Sequence, residues 1–132
     1  MDKIQLKTHS KAEFIDITSE VNQIVQKQAI KEGICHVYIP HTTAAITINE
    51  NADPTVKKDI INELNKIVPL NGSYTHLEGN AAAHIKSTIV GSSVSIPISG
   101  KKLALGTWQG IYFCEFDGPR QREAFVQIIK SE

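Results

Sequence analysis

Two cysteines, one tryptophan, one methionine and no excess charge of either sign are what 132 residues offer here, and each scarcity excludes something. Cys35 and Cys114 each sit inside an apolar, strand-like run, which points to a reducing, cytoplasmic setting rather than a disulfide scaffold. Each thiol reads either as a small buried hydrophobe or as a redox or nucleophilic group. No apolar run approaches the roughly 18 residues needed to cross a bilayer, and the N-terminus has no basic segment followed by an apolar stretch. A soluble chain without a membrane partner is expected. Lysine plus arginine equals aspartate plus glutamate, 14 against 14, so no global field draws in nucleic acid. Basic clusters interleaved with aromatics are also missing. Any charged ligand must be held locally. With no repeat or low-complexity segment, the length suits a single domain over residues 1–132 with one hydrophobic core.

Hydrophobic periodicity sets the expected elements. Loose alternation predicts strands over 3–9 and 13–18. From Ser19, Val21, Ile24, Val25 and Ile30 fall at helical spacing, with Thr18 or Ser19 as the cap and Gly33 as the stop. Residues 34–39 and 44–48 read as strands flanking the polar stretch Pro40-His41-Thr42-Thr43. Asp53-Pro54 is a helix start, and Val56, Ile60, Ile61, Leu64, Ile67 and Val68 mark a buried stripe as far as Pro69. Residues 71–76 form a loop by composition, and 80–90 an alanine-rich helix closed by Gly91. Strands are predicted at 94–98, 103–105, 110–116 and 124–129, the last after the Asp117-Gly118-Pro119-Arg120 turn. Strand runs broken by about three helices, without regular βαβ alternation, predict an α+β fold with a largely antiparallel sheet, sandwich or barrel-like.

Three segments concentrate polar chemistry. His76 precedes the alanine-rich helix, Asn80 opens it, and His84 lies four residues on, so Asn80 and His84 share a face. Two imidazoles near a carboxylate suit a divalent metal, and a helix start suits a phosphate. The alternative is two solvated histidines. His41, Thr42 and Thr43 sit at a strand junction, either facing a pocket or making an ordinary turn. The strand around Ile111 to Phe116 is apolar on both faces, so Glu115 is expected to be desolvated and to need a partner. Arg120, Arg122, a metal-bound histidine or a cation are candidates. Arg120, held after a Gly-Pro turn, either grips phosphate or pairs with Asp117.

These motifs resemble those of the YjbQ family: His41 through Pro54, His76 through His84, Leu105 through Ile111, and Glu115 through Arg120, in order along essentially the whole chain. The resemblance implies a compact α+β protein that assembles as a homotrimer and has thiamine-phosphate synthase activity, joining hydroxymethylpyrimidine diphosphate to a thiazole phosphate. It also implies anionic small-metabolite substrates and a divalent ion, zinc or magnesium, to neutralise the leaving diphosphate. On that basis His41, His76 and His84 are the expected metal or phosphate contacts, with His41 and Glu115 at the chemistry and Glu115 either a fourth ligand or an orienting group. Thr42, Thr43, Asn51, Asn80, Gln109 and Arg120 are the expected substrate contacts, Gln109 reading the heterocycle. Two other readings stay open: a metal-dependent hydrolase of a small phosphorylated or amide metabolite with Glu115 as general base, and a non-catalytic protein that binds an anionic metabolite.

Overall fold

A computed structural model describes residues 1–131 and gives eight strands and three helices among them. In chain order these are β1 (Asp2–Lys7), β2 (Glu13–Asp16), α1 (Thr18–Gln28), β3 (Glu32–Tyr38), β4 (Ala44–Glu50), α2 (Pro54–Ile67), α3 (Ala81–Val90), β5 (Ser93–Ser99), β6 (Lys102–Leu103), β7 (Gln109–Glu115) and β8 (Gln121–Lys130). A five-stranded sheet runs β1-β8-β3-β5-β6 and a three-stranded sheet β2-β7-β4. Every pairing is antiparallel. The architecture is the expected α+β one, with two curled sheets facing each other.

Alternation along the strands builds the core. Cys35 and Val37 from β3, Ile96 and Ile98 from β5, and Ala124, Val126 and Ile128 from β8 meet Ile111 and Phe113 of β7 and Ala44 and Ile46 of β4. Val21 and Val25 of α1 complete this cluster. The other face of β7 carries Tyr112, Cys114 and, just beyond, Phe116, which pack with Ala45, Phe14 and Ala83. Ile60, Ile61 and Leu64 of α2 lie against that second cluster. The strand is therefore buried on both sides, as its two-faced apolar pattern predicts. No helix among the described residues is long and apolar enough to cross a membrane.

Several expectations are corrected. Helix α1 has Ile17 at its N-cap without a side-chain cap. The Thr18 hydroxyl instead donates to Asp16 Oδ1 at 2.5 Å and accepts from the Ile111 amide at 2.9 Å, so it ties the helix to β7. The helix ends at Ala29 in the left-handed region (φ 53), because the chain has already turned toward β3. Gly33 lies inside β3, where an added Cβ would run into the carbonyl oxygen of Ile129 on β8. Its glycine serves close approach of two backbones rather than helix termination. Asp53 caps α2 as expected, accepting from the Thr55 amide at 2.9 Å. That helix lies on the surface, however, so its stripe is only half buried and Ile67 is exposed while Val68 is covered. Asn80 is the N-cap of α3 rather than a residue of its first turn. Strand β8 starts at Gln121, three residues before the expected start, because pairing with β1 extends to Lys7.

Replacing Gly33 by alanine is expected to destabilise the fold by about 1–3 kcal/mol, the usual cost of forcing extra atoms into a packed site. Urea unfolding checks this through a lowered midpoint at unchanged slope. A wild-type midpoint would mean that β3 and β8 separate more easily than their ladder implies.

Candidate functional site

The site rests on a buried ion pair. Arg122 shares the inward face of β8 with Ala124 and Val126, and Glu115 shares the inward face of β7 with Phe113 and Ile111, so the two meet at the end of the core between the sheets. Arg122 Nε donates to Glu115 Oε1 at 2.9 Å and Nη2 donates to Oε2. Thr8 Oγ1 also donates to Oε1 (2.7 Å) and the Asp117 amide to Oε2 (3.1 Å). Four donors thus occupy the four acceptor positions of the carboxylate. Burial alone pushes the Glu115 carboxyl up, but the hydrogen bonds from Arg122, Thr8 and the Asp117 amide outweigh it and hold the group below the usual glutamate range. Thr43 Oγ1 accepts from Arg122 Nη2 at 2.8 Å and is itself buried.

One layer outward, the same strand positions a histidine. The Glu123 amide, next to Arg122, donates to His41 Nε2 at 2.9 Å, so the neutral ring carries its proton on Nδ1. Burial and the neighbouring Arg122 charge lower the His41 pKa and favour this neutral form. His41 and Thr42 line one wall of a groove of about 470 Å³, and His84, Ser87 and Thr88 of α3 line the other. That volume suits a small ligand. The Ser87 hydroxyl is buried and has no hydrogen-bond partner. His76, from the loop before α3, meets His84 edge-on with ring centroids 5.2 Å apart. The histidines of three separate segments are thus brought to one corner.

The remaining expected contacts divide. Asn80 Nδ2 donates to Asp117 Oδ2 at 2.9 Å. Arg120 Nη2 and Lys11 Nζ also bind the Asp117 carboxylate, each at 2.9 Å, so of the two readings of Arg120 the pairing one is realised. Asn51 and Gln109 lie elsewhere. Asn51 Nδ2 donates to Asp16 Oδ2 at 3.1 Å, and Gln109 Oε1 accepts from the Gly106 amide at 2.8 Å. Gln109 and Glu115 are the two ends of β7, about 20 Å apart at strand rise, so these amides do not share the groove within one chain. Glu115 lies beneath the groove rather than in it. Both cysteines are buried, and burial raises the Cys35 thiol to about 11 and raises Cys114 as well, which makes them packing residues rather than nucleophiles. No three His, Cys, Asp or Glu side chains come together for a metal among the described residues.

Two important residues escaped the sequence reading as site members. Ser87 stands three residues after His84, a helical spacing that puts both on one face. Arg122 belongs to an otherwise apolar strand face, a signal visible only once β8 is started at Gln121.

The family model described as "UPF0047 protein YjbQ-like" matches residues 2–131. A UPF0047 protein of Methanocaldococcus jannaschii is 56% identical over 127 residues, which is 96% of this chain and 92% of that protein. The UPF0047 protein YugU of Bacillus subtilis is 50% identical, with 96% of each chain covered. Among solved structures, an uncharacterised YjbQ/UPF0047 protein of Clostridium acetobutylicum superposes with a TM-score of 0.96 at 53% identity, covering 98% of this chain and 100% of that one. A protein of unknown function from Sulfolobus solfataricus gives 0.95 at 38% identity, covering 98% and 96%.

Arg122→Met leaves the Glu115 carboxylate buried without its counter-ion and is expected to cost about 3–5 kcal/mol, whereas Arg122→Met combined with Glu115→Leu recovers most of that loss. Because the folded Glu115 carboxyl is held low, its contribution is complete above the free glutamate value of about 4.3 and is lost as pH falls through the folded value. Urea titrations from pH 7 to pH 3 should therefore show a smaller loss on acidification for the double variant than for wild type. Equal acid slopes would contradict the sign.

Proposed function

The chain belongs to the YjbQ-like UPF0047 family, and on that premise we propose that it carries out a thiamine-phosphate-synthase-type condensation in the imidazole groove. The observation that carries this reading is the groove itself: a neutral, oriented His41 faces His84 across a space edged by hydroxyls, one of which, Ser87 Oγ, is buried and unpaired. An orphaned donor costs stability unless something completes it, and a phosphate oxygen is a suitable acceptor. In the reaction, a bond forms between the pyrimidine methylene carbon and the thiazole nitrogen while the carbon–oxygen bond to diphosphate breaks and its electron pair leaves with diphosphate. His41 Nδ1–H and the Thr42 and Ser87 hydroxyls would donate to phosphate oxygens. Glu115 and Arg122 would act at a distance, by fixing the β8 backbone that orients His41.

His76 and His84 are the residues that would hold a divalent ion. Two imidazoles on one tetrahedral zinc have ring centroids about 5 Å apart, close to the 5.2 Å seen, and a nitrogen pair favours zinc over magnesium. The ion would neutralise the departing diphosphate. His41 Nε2 is engaged by the Glu123 amide, so further ligands would come from substrate oxygens, water or a neighbouring subunit. The hydrolase reading is weaker, since Glu115 has no open acceptor position for a water. That same saturation favours, as the second reading, an anion-binding protein without turnover.

The assembly belongs to this proposal. Ile34, Tyr38 and Ile129 project from the outward face of the five-stranded sheet, 46%, 45% and 57% exposed, with Pro97 beside Ile34 and Phe125 beside Tyr38. Covering such a ridge is a reason to associate, and a homotrimer is the assembly this reading takes.

Supplying both precursors to the purified protein and detecting thiamine phosphate tests the reaction. Wild type should form it, and His84→Ala and Ser87→Ala should lower the rate at least tenfold; tight binding of either precursor without product would overturn synthase chemistry in favour of binding. His76→Ala and His84→Ala should each abolish zinc uptake with the far-UV spectrum unchanged, and unaltered metal content would remove the metal assignment. Sedimentation should give a trimer at micromolar concentration, and a monomer would dispose of the assembly.

A further inference from the structure

On the other flank of α3 lies a second cavity, of about 490 Å³, between α2 and α3. Residues 82, 83 and 86 face it, while 84, 87 and 88 face the imidazole groove, as a repeat of 3.6 residues requires. Its floor is apolar, made by Ala82, Ala83 and Phe116, and its polar groups are the ammoniums of Lys86 and Lys11 and the amides of Asn65, Asn71 and Asn80.

Lys86 is the anomaly. Its side chain is only 7% exposed, yet among the described residues no carboxylate lies within ion-pair distance of it. Its ammonium donates to Asn65 Oδ1 at 2.5 Å and lies 5.9 Å from the Phe116 ring centre. An amide and a ring face compensate a buried charge poorly. At the mouth, Lys11 and Arg120 share the single carboxylate of Asp117, so cations outnumber anions there too. Asn80 points its Nδ2 at Asp117 and leaves Oδ1 buried with no partner. The surroundings therefore hold three cations against one carboxylate and an unused acceptor, over a greasy floor.

We propose that this cavity is a binding site for a small phosphate monoester with a planar or apolar body, its phosphate between Lys86 and Lys11 and its body on Phe116 and the α3 alanines. A monoester carries close to two negative charges at neutral pH, which matches the local excess better than a single carboxylate does. A hydroxyl or N–H on the ligand body would complete Asn80 Oδ1. The inference stands apart from the condensation reading, because it uses neither His41, His76 nor His84.

Phenyl phosphate is the probe, followed by amide and methyl NMR and by calorimetry. Saturable shifts are expected at Asn65, Asn80, Ala82 and Ala83, with contacts from the phenyl protons to the Ala82 methyl and the Phe116 ring. Benzoate should bind at least tenfold more weakly and phenol not detectably. Lys86→Met, which keeps the apolar stem, should weaken phenyl phosphate at least tenfold, whereas His84→Ala should leave it unchanged. Equal affinity in Lys86→Met, equal affinity for benzoate, or shifts centred on His41 and Ser87 would each overturn the proposal. Should Lys86→Met not fold, absence of phenyl contacts to Ala82 and Phe116 in the wild-type protein overturns it equally. Loss of condensation activity with these contacts intact would count only against the groove.

Discussion

The Glu115–Arg122 pair is the constraint on which the remainder of the site depends. A buried carboxylate and guanidinium are tolerated when hydrogen bonds replace those lost from water, and here the bonding groups come from four separate places: β7, β8, the segment after β1 and the segment before β4. The network therefore fixes four chain segments at one end of the sheet sandwich. Replacing it with hydrocarbon would pack as well, but Thr43 and the β8 backbone would lose their common reference. Through the neighbouring Glu123 amide, the same network decides which nitrogen of His41 carries the proton.

Helix α3 divides the chemistry above that base. The alanines at its start are small enough to bring its backbone close to β4, and Ala83 packs in one cluster with Ala45, Cys114 and Phe116. Close packing leaves the longer side chains to emerge on two flanks: His84 and Ser87 toward one groove, Lys86 toward the other cavity. Asn80 at its start is tied to Asp117, and Asp117 is the residue whose amide binds Glu115. Both cavities are thus anchored to the same buried pair, from opposite sides of one ten-residue helix.

Structural relatives from a clostridium and an archaeon share this architecture over nearly their whole length, so the fold is a common frame. On this chain the frame lines two cavities with imidazole, hydroxyl and ammonium groups and keeps thiols and the glutamate in the core. That distribution suits holding and orienting anions more than it suits nucleophilic attack by the protein itself.

Local patterning was enough to identify nearly all the elements, since apolar spacing, the Asp53-Pro54 start and the two-faced strand around Phe113 each express a short-range physical preference. It also located Glu115 as a buried charge in need of a partner. Which partner it takes was not legible, because Arg120 and Arg122 stand two residues apart and would share a face if both lay in a strand; only the start of β8 at Gln121, set by its register on β1, turns Arg122 inward and leaves Arg120 in the preceding turn beside Asp117. The same limit explains Asn51 and Gln109, polar residues in motif-rich segments that seven residues of strand carry away from the imidazoles. Sequence by itself determined the elements and which groups are chemically able; tertiary structure alone decided which of them meet, because register and helix phase are properties of pairs of segments rather than of either segment.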